Sequence, residues 1–172
     1  MIISDPLISS DPDDSPIQFR APTSEDGIAI QQLIEHCPPL DRNSTYLYLL
    51  LCTHFAESCV VAYDKQKLIG FISAYGLPQD SDTLFIWQVA VAKSARGKQL
   101  ASRMIEHLLQ RPHLAHIRYL QTTVDPENLA SRRVFEKIAQ HYHTSIDETP
   151  FFESHHFIEP QEEPLLHIGP LR

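Results

Sequence analysis

Residues Leu84 to Val91 (LFIWQVAV) are apolar at seven of eight positions in a stretch far too short to span a membrane. A strand apolar on both faces has to lie inside a sheet that is covered on both sides. A small, basic turn follows it directly, Ala95-Arg96-Gly97-Lys98-Gln99, and beyond the turn Leu100, Met104, Ile105, Leu108 and Leu109 keep helical spacing as far as Pro112. A central strand feeding a helix that must pack back on its sheet restricts the chain to an α/β or α+β architecture.

The strand-to-helix junction also has chemistry. Backbone N–H groups at a helix start lack partners and point outward, and the helix dipole adds positive charge there. Arg96 and Lys98 strengthen such a place for phosphate, and Gly97 lets the backbone come close. On the turn alone, a solvated junction with casual basic residues is the better reading.

Around this segment the rest of the chain falls into order. Ile17–Arg20 reads as a short strand, and Thr23-Ser24-Glu25-Asp26 has capping-box chemistry. Ile30, Leu33, Ile34 and Cys37 predict a helix stopped by Pro38-Pro39. A second helix is capped at Asn43 or Ser44, with Leu47, Leu50, Leu51 and Phe55 on one face. Cys59–Tyr63 and Leu68–Tyr75 suit a hairpin, Ile117–Val124 a strand, Asn128–Tyr142 a helix, and Thr149–Phe152 and Leu165–Ile168 two last strands. Residues 1–16 hold three prolines, four aspartates and no basic residue, which predicts a flexible acidic arm ahead of a single domain over 17–172.

The net charge of −8 argues against nucleic acid or an anionic membrane as partner and suits a cationic small molecule. Three cysteines in apolar company, with no leader-like N-terminus, point to buried thiols and the cytoplasm. His141-x-His143 and His155-His156 lack the company of a zinc site, so no metal is expected.

The run Gln88-Val89-Ala90-Val91 followed by Arg96-Gly97-Lys98-Gln99-Leu100-Ala101 resembles motif A of the GNAT acetyltransferases, whose turn holds the acetyl-CoA pyrophosphate. Gln99 stands at the inner glycine and Ala101 at the last position. Asn128-x-Ala130-x4-Phe135 is similar to the next motif of the family, with phenylalanine where tyrosine is common. The resemblance implies a mixed, mostly antiparallel sheet of six to seven strands with about four helices. It also implies acetyl-CoA as co-substrate, held by the backbone of Val89 and Val91, by Arg96, Gly97, Lys98, Gln99, Leu100 and Ala101, and by Asn128. A homodimer is implied as well.

Phe19-Arg20-x-Pro22-Thr23, Cys37-Pro38-Pro39-Leu40-Asp41-x-Asn43-Ser44-x-Tyr46, Gly70–Tyr75, Leu84–Val91 and Ile168-Gly169-Pro170 narrow the resemblance to the diaminobutyrate acetyltransferases of ectoine (compatible solute) synthesis. The reaction so implied acetylates the 4-amino group of L-2,4-diaminobutyrate. Other small amines such as ornithine or a polyamine, a protein lysine, or a non-catalytic acyl-CoA sensor are the competing readings; Gln99 and Phe135 lend weight to the last.

An amine of this kind is protonated at neutral pH and must lose a proton before it attacks a thioester. The oxyanion that follows would find a backbone N–H on the Val89–Val91 strand. The resemblance puts Asp41 and Tyr46 at the substrate pocket. Asp41 would bind an ammonium, and the helix start at Asn43 and Ser44 would bind the α-carboxylate or simply be capped by them. Trp87 is a cation–π partner for the diamine or a core residue. Glu163 is a candidate ammonium ligand or proton acceptor, or else a surface charge in an acidic tail.

Overall fold

The computed structural model describes residues 16–172. All of the expected arm except Pro16 lies outside the described residues. In chain order the elements are β1 (Gln18–Arg20), α1 (Gly27–Glu35), α2 (Thr45–Leu51), β2 (Val60–Asp64), β3 (Lys67–Leu77), β4 (Asp80–Val91), α3 (Leu100–Leu109), β5 (Tyr119–Thr123), α4 (Leu129–His141), β6 (Ser145–Phe152) and β7 (Glu163–Gly169). The strands make one seven-stranded sheet in the order β1-β2-β3-β4-β5-β7-β6. Every neighbouring pair is antiparallel except β4–β5. The strand expected to be central is the middle one of the seven.

Helices cover both faces. Leu100, Met104, Ile105 and Leu108 of α3 and Phe135 and Ile138 of α4 pack with Ile72, Ala74, Leu84 and Ile86 on one side. On the other, Ile30, Leu33 and Ile34 of α1 and Tyr48 and Leu51 of α2 meet Val61, Phe71 and Ala90. Ile86 and Ala90 therefore enter opposite cores although an even number of positions separates them. The register explains how: Ala74 pairs with Ile86 but Ser73 pairs with Gln88, so Trp87 is an extra residue in β4. Such a bulge reverses the alternation of side chains beyond it. The buried Ser73 hydroxyl accepts the Gln88 N–H at 3.1 Å and so satisfies a donor beside the bulge.

Asp26 ties the N-terminal strand to the sheet. It takes two bonds from the Arg20 guanidinium (2.7 and 2.8 Å), one from the Thr23 N–H (2.7 Å) and one from the Tyr63 hydroxyl (2.6 Å). Burial pushes its carboxyl upward, but Arg20, Tyr63 and the Thr23 backbone outweigh that and hold it at about 2.

The second helix differs from expectation. It ends at Leu51, so Tyr48, Leu51 and Cys52 are buried while Phe55 falls beyond the helix and is exposed. Leu51 is in the core and Leu47 packs against it as the spacing suggested, but Tyr48, outside that stripe, is the fully buried residue of the helix.

Candidate active site

β4 and β5 pair only over Thr83–Phe85 and Tyr119–Gln121. Beyond Phe85 they part, while β5 is held on its other edge by β7. Ala92 N–H bonds to the Ile69 carbonyl of β3, so by alternation Ala90 also faces β3, and Val89 and Val91 turn their backbone groups toward the split. The Val91 carbonyl is met there by the Cys37 thiol and by Arg96 Nε, both at 3.4 Å.

A cleft of about 360 Å³ follows from this split. Val89, Val91, Arg96, Gly97, Gln99, Leu100, Ala101 and Asn128 line it, with Pro38 and Leu40 opposite. α3 starts without a side-chain cap. The first bond within the helix runs from Arg103 N–H to the Gln99 carbonyl at 3.1 Å, so the N–H groups of Leu100, Ala101 and Ser102 stand at the open helix end. Gly97 has φ +78°, and a side chain added there would meet no atom within 4 Å. Open space over a glycine turn, free amides and a guanidinium fit a diphosphate. Lys98 is exposed and is not part of the lining.

Gln99 sits at φ 56°, ψ 25°, in the left-handed region. This is the physical reason a glycine suits that position. The glutamine keeps the backbone shape.

A second cleft, of about 610 Å³, adjoins the first and shares Pro39, Leu40, Val89, Asn128 and Ser131 with it. Its lining brings together Asp41, Trp87 and Glu163 from three distant parts of the chain. Tyr75, Phe85, Phe151, Phe152 and Phe157 give it aromatic walls, and none of its lining residues is Lys, Arg or His. Trp87 is 41 % exposed, which marks it as a cleft residue and not a core one. Burial raises the Glu163 pKa; the Thr123 hydroxyl opposes the rise, and the charges of Asp125 and Asp41 add to it.

Other expected residues fall elsewhere. Tyr46, 69 % exposed, and Asn43 and Ser44 line neither cleft. Ser44 caps α2, its hydroxyl accepting the Leu47 N–H at 3.3 Å. Asn43 donates to the Asp41 carbonyl at 3.4 Å. Asn128 caps α4 through Oδ1, which accepts the Ser131 N–H at 3.1 Å, and this leaves its amide NH2 beside both clefts. Phe135 is buried and closes the second cleft.

Sequence reasoning missed Asp125 and Gln88. The one signal for Asp125 is a carboxylate just ahead of the Asn128 motif. Gln88 was the single polar residue of an apolar strand. Among the described residues no cluster of three or more His, Cys, Asp or Glu is placed to hold a metal, and no helix is long and apolar enough to cross a membrane.

The model of the acetyltransferase (GNAT) family matches residues 28–139. The chain is 48 % identical to the L-2,4-diaminobutyric acid acetyltransferase of Bordetella parapertussis, over 88 % of this chain and 83 % of that protein. It is 47 % identical to the enzyme of the same name from Vibrio cholerae, over 84 % and 87 %. The diaminobutyrate acetyltransferase EctA from Paenibacillus lautus, solved with L-2,4-diaminobutyric acid and coenzyme A, superposes with a TM-score of 0.87 at 36 % identity, over 91 % of this chain and 96 % of that one.

Proposed function

The chain belongs to the GNAT acetyltransferase family, among its L-2,4-diaminobutyric acid acetyltransferases, and on that footing we propose that it transfers an acetyl group from acetyl-CoA to the 4-amino group of L-2,4-diaminobutyrate. The resemblance implies that the product feeds ectoine synthesis. The observation that carries the reading is the junction of the two clefts at Val89 and Asn128: a phosphate-binding groove opens directly into an acidic, aromatic chamber.

Each wall has a task in this reading. The amides of Leu100, Ala101 and Ser102 with Arg96 hold the diphosphate, and the outward backbone of Val89 and Val91 pairs with the amides of the pantetheine arm. Asn128 donates from its free NH2. Bound acetyl-CoA supplies the thioester carbonyl, whose C–S bond is exchanged for a C–N bond to the amine. Asp41 and Asp125 attract the two ammonium groups, and Trp87 offers a ring face to one of them. Glu163, once ionised, takes the proton that the 4-ammonium must lose. Phe135 has no proton to give, so the second proton, which the nitrogen loses after attack, passes by way of water to the departing thiolate.

Gln99 lends the sensor reading no weight, because the backbone keeps the left-handed shape that a glycine would take. The three free, buried cysteines suit a reducing compartment, which favours the cytoplasm. The resemblance implies a homodimer, and sedimentation velocity checks this.

Thiol release from acetyl-CoA, measured with diaminobutyrate, ornithine and polyamines, tests the reading, with NMR locating the new amide. Diaminobutyrate should be used best and acetylated at N4. Release with another amine only, or none at all, would reject it.

A further inference from the structure

Gln88 lines the second cleft between Trp87 and Val89, the latter shared with the cofactor groove. It lies one residue past the Trp87 bulge and is 3 % exposed. Because the bulge reverses the alternation, its side chain points to the α1–α2 side of the sheet and not toward α3. There Nε2 donates to the backbone carbonyl of Asp41 at 3.1 Å. Its own N–H is held by Ser73 Oγ, so the residue is fixed at both ends. The same Asp41 carbonyl takes the weaker 3.4 Å bond from Asn43.

Gln88 Oε1 is buried and has no protein partner. Leaving an acceptor in that state destabilises a fold, whereas an apolar side chain of like volume would fill the place without the penalty. The amide is therefore poorly explained as packing. Its visible use is the Nε2–Asp41 bond, which pins an otherwise exposed loop to the strand that forms the cofactor groove.

We propose that Gln88 is a positioning residue for substrate selection: through the Asp41 carbonyl it fixes the Asp41 carboxylate over the acidic chamber, at a set distance from Val89 and the reacting groups. Asn43 supports the same carbonyl from the loop side. The proposal rests on the acetyl-transfer reading above.

The test is steady-state kinetics on Gln88→Met, which keeps the volume and removes the donor, with Gln88→Leu as a second variant, each alone and combined with Asp41→Asn. Expected is a KM for diaminobutyrate about tenfold higher, with kcat within about threefold and CoA affinity unchanged, since one lost positioning bond is at stake. The melting temperature should be equal or higher. In the Asp41→Asn background the same replacement should add no further loss, because it acts through Asp41. Asn43→Ala should give a smaller change of the same kind. An unchanged KM in both Gln88 variants, or an equal loss with Asp41 already replaced, overturns the proposal. A wild-type chain that binds CoA yet acetylates no diaminobutyrate overturns the functional reading, and this inference with it.

Discussion

Asp41 and Glu163 line a single cleft, and the Asp41 charge adds to burial and to Asp125 in raising the Glu163 pKa. One carboxylate comes from the loop after α1 and the other from the first residue of β7. The two ammonium groups of diaminobutyrate, entering between them, would relieve their repulsion, so that on the proposed reading substrate binding is coupled to ionisation of Glu163.

This coupling sets a pH dependence. Glu163 accepts a proton only when ionised, and its raised pKa keeps it protonated to higher pH than an ordinary glutamate. The rate at low diaminobutyrate should therefore climb as pH rises through that value. Glu163→Gln should lower kcat by about 100-fold or more and remove this acid limb. A variant with full kcat and an unaltered pH profile would take Glu163 out of the reaction.

Trp87→Ala and Asp41→Ala should each weaken use of diaminobutyrate without touching the cofactor groove. A lost cation–π contact of about 1–2 kcal/mol corresponds to roughly a 5- to 30-fold rise in KM. Calorimetry with CoA should give the wild-type affinity in both. Diamine kinetics that do not change would place both residues outside the site.

Gln99 provides a test of the phosphate turn. With φ at 56°, Gln99→Gly should leave CoA affinity within about threefold of wild type, because glycine enters the left-handed region freely. Gln99→Val should bind CoA about tenfold more weakly, since a β-branched side chain fits that backbone badly. Equal affinities for the two variants would show that the turn does not grip the diphosphate.

Acid stability depends on Asp26. Its folded pKa of about 2 lies below the usual carboxylate value, so its contribution is complete above the unfolded pKa near 3.8 and is lost as pH falls toward 2. The shift corresponds to about 2 kcal/mol. Asp26→Asn should lower the melting temperature at pH 7 and narrow the gap to wild type near pH 2. Melting curves that differ by the same amount at both pH values would count against this role.

Local spacing along the chain was enough to read the order of elements and the strand–turn–helix junction, because both are local. Apolar spacing set β4 and α3, and the turn between them places Arg96 to Ala101 at a helix start by chain connectivity alone. The capping box at Thr23 and Asp26 was legible for the same reason. The second cleft exists through long-range packing alone. Asp41, Asp125 and Glu163 meet there because β4 and β5 part after Phe85 and β7 inserts beside β5, and no spacing along the chain encodes that approach. The bulge at Trp87 likewise became visible only through its partners on β3. It exposes Trp87, turns Gln88 under the Asp41 loop and frees Val89, which an unbroken alternation of side chains would have placed differently.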